Sequence, residues 1–194
     1  MPRLLRRIVP ATAAAALVAL AVSAQTMGSP ERFTAAAINM NRGAAGNIEI
    51  VVNRWSSDAD RDRLMSALLD KGPDKLLDVQ QEMPRMGYFR TPDSIGWDIH
   101  FARHMATAEG GERVTLVTDR RIGFWEAANQ ARTLDYPFTV IELRLNRYGE
   151  GEGKMSLATK IVPDKEHNTV TLENWDVQPV QLTKVTRERE RSTE

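Results

Sequence analysis

Apolar and polar residues alternate with a period of two along much of this chain, the signature of strands that bury one face. The clearest case runs from Trp97 to Arg103. Trp97, Ile99 and Phe101 fall on one face, and Asp98, His100 and Ala102 on the other. Glu109-Gly110-Gly111 supplies a tight turn, because glycine tolerates the positive φ such turns need. Val114 to Asp119 returns, with Val114 and Leu116 facing opposite to Thr115 and Val117. In an antiparallel hairpin the first strand starts beside the end of the second, so Trp97 and Trp125 are expected near the same end.

The same alternation predicts strands elsewhere. Phe33 to Met40 shows it weakly, and Asn47 to Trp55 shows it better through Ile48, Ile50 and Val52. Met86 to Arg90 reads as a short strand. Thr139, Ile141, Leu143 and Leu145 share a side in the run from Phe138 to Asn146, and Lys154 to Val162 alternates again. Thr169 to Asn174 and Val180 to Thr186 complete the set, with Gly149-Glu150-Gly151-Glu152-Gly153 expected as a flexible, solvated hairpin connection. Arg187 to Glu194 alternates charges without apolar residues, which predicts a solvated tail.

Between Trp55 and Met86 the period changes to that of a helix. Ser56-Ser57-Asp58 is a helix start, with a serine oxygen to cap a free backbone N–H and acids near the positive end of the dipole. Leu64, Met65, Leu68 and Leu69 follow at helical spacing. Gly72 ends this helix and Pro73 begins a second, carrying Leu76, Leu77, Gln80 and Met83, until Pro84 stops it. About nine strands and two short helices predict an α+β fold: a mostly antiparallel sheet with the helix pair packed against it. A partly closed barrel of about nine strands is the natural way for so many strands to avoid open edges.

Composition changes the picture chiefly at the N-terminus. Arg3, Arg6 and Arg7 precede an apolar run from Ile8 to Val22, and Val22-Ser23-Ala24 offers small residues for cleavage. That is the layout of a cleavable secretory signal over 1–24. A single domain over 25–186 and the charged tail over 187–194 then make up an exported chain of the periplasm or extracellular space. The apolar run is shorter than the ~20 residues a spanning helix needs, so no membrane span is expected after cleavage. Removing the three arginines with the leader leaves the 26 acids in small excess over the bases. This balance argues against a nucleic-acid partner. The chain has no cysteine, which excludes disulfides, thiolate metal sites and a cysteine nucleophile.

Candidate chemistry is sparse. Asp98 and His100 point to the same side of one strand, about 7 Å apart at Cα, and such a pair can share a metal ion if a third ligand is found. Glu126, Asp93 and His167 qualify by residue type alone. His104 is roughly 13 Å further along the strand from His100, too far for one ion. No motif calls for an organic cofactor. Trp55, Trp97, Trp125 and Trp175 each stand at the end of a strand. If the strand order brings those ends together, they form an aromatic rim to a cup, with Arg90, Asp98, Arg121 and Glu126 supplying polarity. Otherwise each tryptophan caps the core at a sheet corner, its N–H reaching a local acceptor.

Arg54-Trp55-Ser56, Arg90-Thr91-Pro92-Asp93-Ser94-Ile95-Gly96-Trp97-Asp98, Gly123-Phe124-Trp125-Glu126 and Gly149-Glu150-Gly151-Glu152-Gly153-Lys154 give the chain a likeness of its own. It resembles a group of secreted bacterial proteins of unknown function, a resemblance that covers nearly the whole chain after the leader. The resemblance implies export and no particular activity. Two functions follow as expectations: a non-catalytic binding or envelope accessory protein, taking a small molecule or an envelope protein as partner, or an exported hydrolase-like or metal-dependent enzyme using Asp98 and His100.

Overall fold

The structure, a computed structural model, describes residues 30–39, 44–118, 139–156, 159–164, 166, 169–174 and 179–188. Eight antiparallel strands close completely into a barrel. Around the barrel they run β1 (Glu31–Asn39), β10 (Val180–Glu188), β7 (Glu150–Ser156), β6 (Val140–Leu145), β5 (Glu112–Thr118), β4 (Trp97–Ala106), β3 (Gly87–Arg90) and β2 (Ala44–Val52), which returns to β1. A separate two-stranded hairpin, β8 (Thr159–Asp164) and β9 (Thr169–Asn174), lies between β7 and β10 in sequence. Closure goes further than the partly closed sheet expected, and it leaves no open edge in the main sheet. Among the described residues no helix is long and apolar enough to cross a membrane.

The barrel is solid. Phe33, Ile50, Phe89, Ile99, Leu116, Ile141, Leu143, Met155 and Leu182 all point inward and are fully buried. Eight strands enclose just enough space for side chains to fill, and here they fill it. The two helices are α1 (Asp58–Lys71) and α2 (Pro73–Gln81). Ser57 caps α1 by accepting from the Asp60 N–H at 3.2 Å, while the Asp60 carboxylate accepts from the Ser57 N–H at 2.8 Å. Leu68 of α1 and Leu76 of α2 pack on Val140, and Leu64, Leu77 and Val117 complete this second apolar cluster on the outside of the barrel. The buried Gln80 ties α2 to the sheet by donating to the Thr118 carbonyl at 2.8 Å.

Three expectations change in detail. The alternation read along β4 shifts phase: Ile99 pairs with Thr118 but Phe101 pairs with Val117, so one extra residue bulges at His100. Beyond the bulge Ala102, not Phe101, is fully buried. The bulge lets one strand face the core at both ends of a strongly coiled barrel. Next, Gly151 and Gly153 lie within β7 rather than in a loop, and the connection is the turn Asn146 to Gly149. A Cβ at Gly151 would collide with the Arg144 carbonyl, and one at Gly153 with that of Glu142, so these glycines allow close strand approach. Finally, β10 extends to Glu188, so Arg187 and Glu188 belong to the barrel and not to a solvated tail.

Candidate functional site

One mouth of the barrel is closed by a ring of five side chains. The chain leaving β2 is turned across this mouth by Asn53 and Arg54, whose N–H groups donate to the Met86 carbonyl at 2.8 and 3.2 Å. Ser56 then clamps β4 just past its bulge. Its N–H donates to the Ala102 carbonyl at 2.7 Å, and its Oγ accepts from the Ala102 N–H at 3.0 Å. Trp55 is thereby held over His104, stacked at 4.4 Å between centroids. Its indole N–H donates to Glu31 Oε1 at 2.9 Å. Arg187 pairs through Nε with Glu31 Oε2 at 3.1 Å and through Nη2 with Glu112 Oε1. Glu112 Oε2 accepts from His104 Nδ1 at 3.3 Å, which closes the circuit. The Arg187 guanidinium also lies 5.1 Å over the Phe33 ring, at the top of the core. A His–carboxylate pair is the equipment of acid–base chemistry. Here the Glu31 and Glu112 carboxylates, His104 Nδ1 and Arg187 Nε and Nη2 face other members of the ring, the Arg187 contacts being ion pairs without hydrogen-bond geometry, and the arrangement stoppers the barrel.

The opposite mouth holds Trp97, which pairs across to Phe89 with ring centroids 5.5 Å apart. Antiparallel register puts the end of β2 and the start of β4 at opposite mouths, so Trp55 and Trp97 do not share a rim. Each packs partly buried against the core. Trp125, Trp175, Arg121 and Glu126 lie outside the described residues.

Asp98 and His100 are both engaged. Asp98 pairs with Arg85 at 2.9 Å, and His100 Nδ1 donates to the Met83 carbonyl at 2.9 Å, joining the end of α2 to β4. Asp93 is exposed in the β3–β4 loop, and His167 lies outside the described residues. Among the described residues no three His, Asp or Glu side chains converge to hold a metal.

Among the described residues, Arg90 is an expected site residue that lines a sizeable depression. A groove of about 640 Å³ runs along the outer face of β1 and β2. Thr34, Ala36 and Asn47 form its floor, Arg90, Thr91 and Pro92 one wall, and Lys184 and Glu188 of β10 the other. At the first wall Glu49 accepts from Arg90 Nε and from Arg32 Nη1. Burial would raise the Glu49 pKa. The hydrogen bonds from Arg90 and Arg32, with their positive charges, outweigh it and hold the carboxyl below its usual range, while Glu49 in turn raises that of Arg32.

The second wall is shaped by a bulge. β10 carries one extra residue against both neighbours, between Thr183 and Thr186 where it faces β1 and between Leu182 and Val185 where it faces β7. Lys184 occupies it at φ +52°, the left-handed region, the only non-glycine with positive φ among the described residues. That conformation costs roughly 1–2 kcal/mol for a residue with a Cβ. The bulge keeps Val180, Leu182 and Val185 inward and turns Lys184 out to the groove. Inward-facing alternation says nothing of such a depression. Its one sequence signal is Ala35-Ala36-Ala37, a run of small residues poorly suited to strands.

With this geometry in hand, no protein-family model, curated protein or solved structure matches the chain.

Proposed function

We propose that this chain is an exported, non-catalytic binding protein of the bacterial envelope that holds its ligand outside a filled barrel, in the groove between β10 and β3. The observation that carries this reading is the groove itself. Its volume of about 640 Å³ lies inside the ~300–1,000 Å³ typical of small-molecule sites. Thr34, Asn47, Thr91 and the flanking charges offer convergent polar groups around a small-residue floor. A filled interior gives a ligand no room within the barrel. The leader-like N-terminus supports export. The enzyme reading through Asp98 and His100 has less support, because Arg85 and the Met83 carbonyl already engage these two side chains.

Ala36 stands on the groove floor and points away from the core, so Ala36→Trp should fill the groove while the barrel still folds. A thermal-shift screen of amino acids, short peptides and neutral sugars against both proteins tests the site. Compounds that stabilise the wild type should lose that effect in Ala36→Trp. Stabilisation that persists equally in the variant would remove the groove from consideration.

A further inference from the structure

The charges of the groove are unevenly satisfied. On one side Arg32, Glu49 and Arg90 are paired with one another. On the β10 side, neither Lys184 nor Glu188 makes an ion pair with a described residue. The two stand four residues apart on one strand, about 13 Å along its axis. Lys184 lies toward the mouth that holds Trp97, and Glu188 toward the ring. Glycine would sit at the Lys184 position without strain, yet a lysine is there with φ +52°. An outlier of this kind, on the wall of a groove, points to a use for its side chain.

Resting on the groove-binding reading, we propose that the ligand is a short extended peptide of three or four residues with both termini free. Its carboxylate pairs with Lys184 and its α-ammonium with Glu188. An extended chain of that size spans about 10–14 Å, which matches the separation of the two charges. Thr34 and Asn47 on the floor and Thr91 opposite can exchange hydrogen bonds with its peptide groups. The floor at Ala36 suits small side chains. Because the barrel is closed, the peptide lies across the outer face of the sheet and is not added to it as a strand.

Isothermal titration calorimetry with tetra-alanine, its C-terminal amide and its N-acetyl form tests this on the full chain. Tetra-alanine should bind, and amidation or acetylation should each weaken binding at least tenfold. Lys184→Gly should lose the preference for the free carboxylate while melting no lower than the wild type, so that lost binding is not lost folding. Glu188→Gln should lose the preference for the free ammonium. Binding that ignores both end-caps and both variants would overturn the peptide assignment. So would a neutral trisaccharide that binds in an Ala36→Trp-sensitive way where tetra-alanine does not, although the groove would then stand. If nothing binds in a manner sensitive to Ala36→Trp, the peptide and the groove fall together.

Discussion

Two charge clusters on this barrel are inverted copies of each other. At the mouth, one arginine, Arg187, bridges two acids, Glu31 and Glu112. On the outer face, one acid, Glu49, bridges two arginines, Arg32 and Arg90. Chain neighbours feed both clusters. Glu31 turns inward to the ring and Arg32 outward to Glu49, while Arg187 turns inward and Glu188 outward to the groove. A strand sends successive side chains to opposite faces, so one polar dipeptide serves two environments. The arginines differ in exposure: Arg187 is 26% exposed, against 43% and 46% for Arg32 and Arg90, while the acids overlap, with Glu31 and Glu112 at 34% and 17% and Glu49 at 21%. The inner cluster should therefore hold structure together, and the outer one should shape a surface.

Substitutions can break or sharpen that contrast. The largest effect is expected from Arg187→Met, which strands two half-buried carboxylates. Chemical denaturation should show a loss of about 2–3 kcal/mol, somewhat under the cost for a fully buried pair. Adding Glu31→Gln and Glu112→Gln to that variant should recover part of the loss, because the stranded charges are then gone. A triple variant no more stable than the single would mean that packing of the Arg187 stem over Phe33 matters more than charge.

Trp55→Phe should come next. It keeps a ring over His104 but loses the indole donor to Glu31, for a loss of about 1 kcal/mol by the same measurement. Arg90→Ala, in the exposed cluster, should change stability by less than about 1 kcal/mol. A larger loss there would erase the distinction between the clusters.

The smallest effect is one of pH. The folded pKa of Glu49 lies below its ordinary value. Its contribution is fully present above the ordinary glutamate pKa of 4.5 and is lost as pH falls through the lower folded value. In melting curves from neutral pH down to strong acid, Glu49→Gln should narrow the gap to wild type only in the acid range. A gap unchanged down to strong acid would show that the Arg32 and Arg90 pairing adds no stability.

Much of the architecture was legible because it depends on local pattern. The alternation in β2, β5 and β6 marked their inward faces, and Ser57, Gly72 and Pro73 marked the helix pair. What the pattern missed depends on partners distant in sequence. The bulge at His100 is defined only against β5, and the glycines of β7 make sense only against the carbonyls of β6. The candidate sites were less legible still. His104 and Glu112 share the β4–β5 hairpin, but Glu31, Trp55 and Arg187 come from separate stretches, and no spacing brings these to that hairpin before the barrel closes. Trp55 and Trp97 look alike as strand-end tryptophans, but one follows the end of β2 and the other begins β4, and because these two strands run the same way their opposite ends lie at opposite mouths.

The seam of the barrel joins β1 to β10, its first strand to its last, across a loop of well over a hundred residues. Contacts so distant in sequence are slow to form, because the entropy of closing the loop precedes any gain from the contact. A nascent chain cannot shut the barrel until β10 has left the ribosome. Through most of synthesis both flanks of the sheet therefore remain open, with their backbone N–H and C=O groups unpaired. The pairing that closes the finished sheet is thus the last that the growing chain can make.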